Sequence, residues 1–542
     1  MSPQPAERWS MERSPSNQQA PCEKAGSSRM MKADAHGLPK TIDLFLSVPA
    51  GLEDVAVRQL PPRLVDVATD ITYRTGSGYL ELCIHRWDSE QDPQDEAVEE
   101  HGGSVLDAIT DLVLHPPLCV FGAYVAIGDI CIPQATFQAP KDLLTYAMSG
   151  FQQPQQQMLE STDKSPGETT KVVYTGGGGV DLGLKWQDAL SVLISTPTPL
   201  AHRLASFRSS SEDAELRAPI CFRASFDRGD VQHKGVRSQD LAAALGGLTG
   251  DVFPSWKVDL TGYDVEVFAR WIQQDQEFVQ CKSGLASRST VVRGPYQGGD
   301  GGGNIYKRPR TEGSLREMPA VRDGARMLVG MTLPLALSSC PYRYRPVDGR
   351  TSLKIEITYN LLAMAAPRPG DVVLDICSGV GTIPIVGAAH YPECLFAGFE
   401  IVPHNVDKAA QNAREMVSKA EQEYRARATD PRTVRPRVLP SLFLGDARAV
   451  CWRSATADLV ISDLPWGQRE NSHVYNCKLY PRLVKEVIRL LKVDGRAILV
   501  TGERKLLQRQ LDAPFARPHL RLLQKREITI GFKVMIFELQ RT

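Results

Sequence analysis

A chain of 542 residues with 42% apolar content is too long for a single hydrophobic core and long enough for three or four domains. Lys+Arg and Asp+Glu both number 63, which excludes a chain-wide attraction to nucleic acid, so any such surface must be local. The eleven cysteines include no C-x-x-C pair, which argues against a zinc ribbon, predicts no metal site and fits a reducing compartment. No apolar run approaches the roughly 18 residues of a membrane span, so no membrane association is expected.

Residues 1–40, rich in Ser, Pro and Gln and carrying Glu7, Glu12 and Glu23, read as a disordered, untargeted leader. Order is expected to begin at Thr41-Ile-Asp-Leu-Phe-Leu-Ser-Val-Pro, an alternating strand, followed by a helix from Gly51. Further strands at Ser77 to His85 and Pro117 to Cys131 would complete a small α+β part over 41–150. Residues 151–180, with their glutamine and glycine runs, read as a linker.

A second α+β block is expected over 181–295. It holds a strand from Cys221, a helix from Ser238 ending near Gly246-Gly247, and the alternating run Trp256 to Ile272. Glu277 to Cys281 would return against that run as its hairpin partner. Residues 296–345 read as a basic linker. From Lys282 through Lys354 thirteen basic residues face five acidic ones, the local basic region hidden by the balanced total.

From 346 onward the pattern becomes strand, glycine turn, helix. Gly370-Asp-Val-Val-Leu-Asp-Ile-Cys-Ser-Gly-Val-Gly-Thr places Asp375 at a strand end, and Gly379 and Gly381 where backbone can approach a nucleoside closely. The next strand ends in Glu400, where Rossmann-like sheets keep a carboxylate for a ribose diol, and a third ends before Asp446, a candidate acceptor for an adenine amine. A G-x-G turn alone marks any nucleotide fold. Any one acid at a strand end suits a solvent-facing charge, but three in strand order are less easily dismissed and favour an S-adenosylmethionine site.

Ala457-Asp-Leu-Val-Ile-Ser-Asp-Leu-Pro-Trp-Gly then puts Asp463, Leu464, Pro465 and Trp466 at the carboxyl edge of the sheet. An amine conjugated to a base is a poor nucleophile, because its lone pair is delocalised into the ring. Asp463 and the Leu464 carbonyl can accept its two hydrogens, Pro465 directs that carbonyl, and Trp466 offers a stacking face. A sulfonium is already an excellent leaving group, so positioning is the main task and no strong base is needed. A helix from Tyr480, a strand from Gly495 and a closing pair at Leu520 to Glu527 and Lys533 to Leu539 would complete a seven-stranded doubly wound sheet.

With these motifs, the chain resembles the THUMP-domain tRNA guanine-N2-methyltransferase family. Val48-Pro-Ala-Gly-Leu-Glu looks like its ferredoxin-like opening, and Trp256-Lys-Val-Asp-Leu-Thr-Gly-Tyr-Asp-Val-Glu-Val like its THUMP core. The resemblance implies a Rossmann-like seven-stranded methyltransferase domain preceded by α+β ferredoxin-like and THUMP modules. It implies N2-methylguanosine formation in the tRNA acceptor-stem region, with the THUMP module on the tRNA 3′ end. The cofactor, S-adenosylmethionine, would rest on Asp375, Gly379, Gly381, Glu400 and Asp446. A small zinc-binding methyltransferase activator subunit is implied as partner, and the cytoplasm, with the nucleus left open, as location. Trp466 stands where the family more often has Phe or Tyr, and Ile376 where proline is usual.

Candidate RNA contacts are Arg223, Arg228, Lys234, Arg237, Arg288, Arg293, Arg343, Arg345 and Arg350, each of which also suits a solvated surface charge. Two alternatives stay open at this level. One is an amino-methyltransferase acting on another base or on a protein glutamine, the other a non-catalytic RNA-binding scaffold.

Overall fold

The structure, a computed structural model, describes residues 38–39, 41–85, 105–133, 182–208, 219–229, 237–273, 278–282, 324–337, 345–349, 352–427, 439–467 and 472–542. Most of the leader (residues 1–37 and 40), the 151–180 linker, the glycine-rich residues 298–303 and residues 428–438 lie outside them, as do Lys234, Arg288, Arg293, Arg343 and Arg350. No helix among the described residues is long and apolar enough to cross a membrane.

Residues 41–333 supply one nine-stranded sheet. Its strands are β1 (Thr41–Ser47), β2 (Asp70–Arg74), β3 (Tyr79–His85), β4 (Gly122–Pro133), β5 (Cys221–Asp227), β6 (Lys257–Val258), β7 (Val265–Gln273), β8 (Phe278–Lys282) and β9 (Gly324–Leu333), in the order β6-β5-β7-β9-β4-β1-β3-β2-β8. Three sequence expectations change here. The segment expected as basic linker contains β9, which lies between β4 and β7 and joins the two α+β blocks into one sheet. Met327, Val329, Met331 and Leu333 are buried in its core, so this short apolar run is a central strand. Residues Phe278–Lys282 pair with β2, not with β7, because β9 already occupies the free side of β7. Finally, the helix expected to stop near Gly246-Gly247 runs Ser238–Val252, with Leu241, Leu245 and Leu248 buried on both sides of the glycines.

The C-terminal sheet has the expected seven strands: β10 (Val372–Asp375), β11 (Leu395–Glu400), β12 (Ser441–Leu444), β13 (Ala457–Asp463), β14 (Leu491–Thr501), β15 (Leu520–Thr529) and β16 (Lys533–Arg541). Their order is β12-β11-β10-β13-β14-β16-β15, parallel throughout except for β16, which runs antiparallel to both neighbours. Strands β10 and β13 are near-continuous apolar runs because helices cover both faces. Ile355, Ile357, Leu361 and Ile385 close one side, and Leu483, Val484, Val487 and Leu507 the other. The chain order reverses between β10 and β13, which opens a crevice at their carboxyl ends.

Candidate active site

Both halves of the crevice begin at strand ends. On the first side, β10 ends in Asp375, which is 2% exposed. Its Oδ1 accepts from the Ser462 hydroxyl at 2.7 Å and from the Cys377 amide at 3.1 Å, and the Cys377 amide also donates to Ser462 Oγ at 3.2 Å. Burial pushes the Asp375 carboxyl up to about 7, against the pull of the Ser462 and Cys377 hydrogen bonds. The same burial pushes the Cys377 thiol well above its ordinary range.

Glu400 closes the glycine turn. Its Oε2 accepts from the Gly379 amide at 3.0 Å and its Oε1 from the Val402 amide at 2.9 Å, leaving lone pairs on both oxygens for a diol. Gly379 and Gly381 have φ of 54° and 84°, the left-handed region that glycine adopts without strain. A Cβ at Gly379 would meet nothing within 4 Å, so the turn leaves open space beside the Glu400 carboxylate. Asp446 follows β12 on the same edge. It is gripped by Arg448, with Nε at 2.9 and 2.8 Å from its two oxygens, and this hydrogen-bonded guanidinium holds its carboxyl below the usual range.

The second half begins where β13 ends. Asp463 Oδ1 accepts from the indole Nε1 of Trp466 at 2.9 Å, and the indole meets the Phe532 ring edge-on at 5.2 Å between centroids. The Leu464 amide donates to the Val500 carbonyl at 2.9 Å, which ties the motif to β14. The Pro465 carbonyl takes two bonds from helix His473–Leu490, one from Asn476 Nδ2 at 3.0 Å and one from the Tyr480 hydroxyl at 2.7 Å. Tyr480 also lies 2.6 Å from the Thr501 hydroxyl, and its burial pushes its phenol up. The direction of the Pro465 carbonyl is thus set by two wholly buried side chains.

The five acids and glycines of the first half and the four residues of the second therefore share one carboxyl edge, linked through Ser462, which lies between the halves and touches Asp375. Ser462, Asn476, Tyr480, Thr501 and Phe532 were not singled out from the sequence. Ser462 carried a usable signal, a polar residue inside an otherwise apolar strand. The other four had none before tertiary structure.

The described arginines expected to face RNA each hold a partner within the chain. Arg223 pairs with Glu266 at 2.7 Å and lies over the Tyr263 ring, and Arg237 pairs with Asp240 at 2.8 Å. Arg228 donates to Ser238 Oγ at 3.1 Å. Arg345, with its side chain 11% exposed, donates to the Leu353 carbonyl at 3.0 Å and to Thr382 Oγ1 at 2.7 Å. It braces the first turn of the helix after Gly381.

Residues 342–517 match the RMKL-like methyltransferase domain family (UPF0020). The C-terminal domain is a methyltransferase domain. The chain is also similar to proteins named tRNA (guanine(6)-N(2))-methyltransferase THUMP3. The one from Bos taurus is 26% identical over 309 residues, covering 56% of this chain and 48% of the relative. The one from Mus musculus is 29% identical over 164 residues, covering 30% and 31%. These relatives bear out the resemblance read from the sequence, and the chain spans about half the length of the first of them. Among solved structures, TrmN from Thermus thermophilus aligns over 92% of this chain and 100% of its own at 16% identity, with a TM-score of 0.47.

Proposed function

We propose that this protein transfers the methyl group of S-adenosylmethionine to the exocyclic amine of a guanosine in tRNA, forming N2-methylguanosine in the acceptor-stem region. The observation that carries the reading is the shared edge, where the open glycine turn beside Glu400 stands next to the fixed Asp463-Leu-Pro-Trp turn. The names of the relatives support guanine and tRNA.

The open space at Gly379 and the free lone pairs of Glu400 fit S-adenosylmethionine. Asp375, Gly379, Gly381, Glu400 and Asp446 would hold it, and when bound it supplies an electrophilic methyl on a sulfonium. The remaining work falls to the chain's own side chains. Asp463 accepts one amine hydrogen and draws the nitrogen lone pair out of conjugation, the Leu464 carbonyl accepts the other, and the indole face of Trp466 stacks the base. Trp466 Nε1 holds Asp463 Oδ1, so the carboxylate is oriented before substrate arrives.

The nine-stranded sheet is the proposed tRNA 3′-end module. The proposed place for a small zinc-binding activator is the β12 edge. There Leu444 is 60% exposed and Ile401 55%, with Phe443, Leu439 and Val402 also exposed, an apolar patch along an edge strand of the kind that accepts another chain's strand. The proposed location is the cytoplasm.

The test is methyl transfer from labelled cofactor to total tRNA, with and without the activator, followed by nucleoside analysis. Label in N2-methylguanosine is the expected result. Label in another nucleoside would move the substrate, and cofactor binding with no label in RNA would favour the scaffold reading.

A further inference from the structure

The Val48-Pro-Ala-Gly-Leu-Glu motif leads off β1 in the first sheet, yet its turn is built into the second. Gly51 has φ of 92°, and a Cβ there would collide with the Glu527 carbonyl oxygen near the end of β15. The Thr529 amide donates to the Ala50 carbonyl at 3.2 Å. Arg526 Nη1 donates to the Gly51 carbonyl at 3.0 Å, and its guanidinium forks onto Asp54. On the side of the first sheet, the buried Glu53 carboxylate accepts from the Gly51 amide at 3.0 Å and from the Gly78 amide at 2.7 Å, clamping the turn to the β2–β3 connection. Leu52 and Val55 share a core with Ile528, Val534 and Ile536, and Trp466 and Phe532 pack against that same core.

The end of β15 that this turn grips leads directly into the tip of the β15–β16 hairpin, where Thr529 pairs with Lys533 and which carries Phe532. The Ile530 amide closes the tip by donating to the Phe532 carbonyl at 2.9 Å. The Phe532 ring meets the Trp466 indole, and the indole N–H holds Asp463. A continuous set of packed and hydrogen-bonded groups therefore runs from the first sheet to the amine-binding carboxylate.

We propose that the Ala50–Glu53 turn is a positioning element of the methyl-transfer site, holding the β15–β16 hairpin so that Phe532 fixes Trp466 and, through it, Asp463. This rests on the reading of Asp463 and Trp466 given above. Gly51 allows backbone to seat against backbone, and Glu53 fixes that seat to the first sheet. The module proposed to receive the tRNA end is on this account also a structural part of the site that acts on it.

The experiment compares the full chain with Arg526→Met, which keeps an unbranched apolar stem and loses the bonds to Gly51 and Asp54, and with Gly51→Ala. Cofactor affinity, tRNA affinity and single-turnover methyl transfer are measured on each. The expected result for Arg526→Met is transfer slowed by about tenfold with both affinities within about twofold, the signature of misplaced groups. Since Gly51→Ala risks misfolding, the second arm is a double-mutant cycle of Arg526→Met with Phe532→Ala. If the turn acts through the hairpin tip, Arg526→Met adds little once Phe532 is removed. Full additivity would overturn the route. Unchanged transfer in Arg526→Met, or a loss matched by an equal loss of cofactor or tRNA affinity, would overturn the positioning role. Absence of any transfer by the unaltered chain would instead sink the functional reading, and this inference with it.

Discussion

The two halves of the crevice are held in different ways. On the cofactor side, Asp375 and Glu400 accept from amides two residues away, at Cys377 and Val402, and their longer-range bonds come from the adjoining strand, at Ser462, and the glycine turn, at Gly379. On the amine side, the Asp463 motif is held from a distance, by Asn476 and Tyr480 of the next helix, by Val500 of the neighbouring strand and by Phe532 of the closing hairpin. A local site survives changes elsewhere in the fold. A site assembled from remote elements depends on all of them, so the amine side should be the more sensitive to mutations outside its motif.

The largest expected effect breaks the comparison at its chemical end. Asp463→Ala should lower methyl transfer by about 10²–10³-fold, as for the loss of one oriented group acting in the transition state, read by single-turnover kinetics. Next is a stability effect confined to the cofactor side. Burial raises Asp375 to about 7, so the folded chain holds that proton more tightly than the unfolded chain, whose ordinary value is 3.8. The contribution is fully present below the unfolded value, declines as pH rises from about 4 to about 7, and is constant above. Over that window it is worth on the order of a few kcal/mol, and Asp375→Asn should flatten the corresponding fall in melting temperature.

Glu400→Ala should weaken cofactor binding by about tenfold or more, since hydrogen bonds to a carboxylate are lost along with the brace on the Gly379 amide, and calorimetry reads this directly. The smallest effect sharpens the comparison. Tyr480→Phe removes one of the two side-chain bonds to the Pro465 carbonyl and should slow transfer by about threefold to tenfold, within the cost of one buried hydrogen bond, while cofactor affinity stays put.

The same division explains what could be read before the structure. The proposed cofactor half is written in consecutive residues, a strand, a glycine turn and acids at strand ends, so the placing of Asp375, Gly379, Gly381, Glu400 and Asp446 along one sheet edge was legible. The Asp463 motif was legible as a segment, but its supports were not. The amphipathic pattern of helix His473–Leu490 says which face is buried, not that Tyr480 would reach the Pro465 carbonyl. In the first sheet the error had a related origin. Neighbouring strands usually pair, which suggested a hairpin of β7 with β8, whereas β9, hidden in a basic and glycine-rich stretch, takes that place from far along the chain. Of the candidate RNA arginines, Arg345 turned out to brace the Thr382 helix, a role that charge patterning cannot distinguish from an exposed contact.

The most direct test of this division measures cofactor affinity and single-turnover transfer side by side on Asp463→Ala and Glu400→Ala. Asp463→Ala should keep its affinity and lose transfer even at saturating cofactor, whereas Glu400→Ala should lose affinity and recover most of its transfer when cofactor is raised. An Asp463→Ala chain that still methylates, or whose defect is repaired by excess cofactor, would contradict the assignment of Asp463 to the amine.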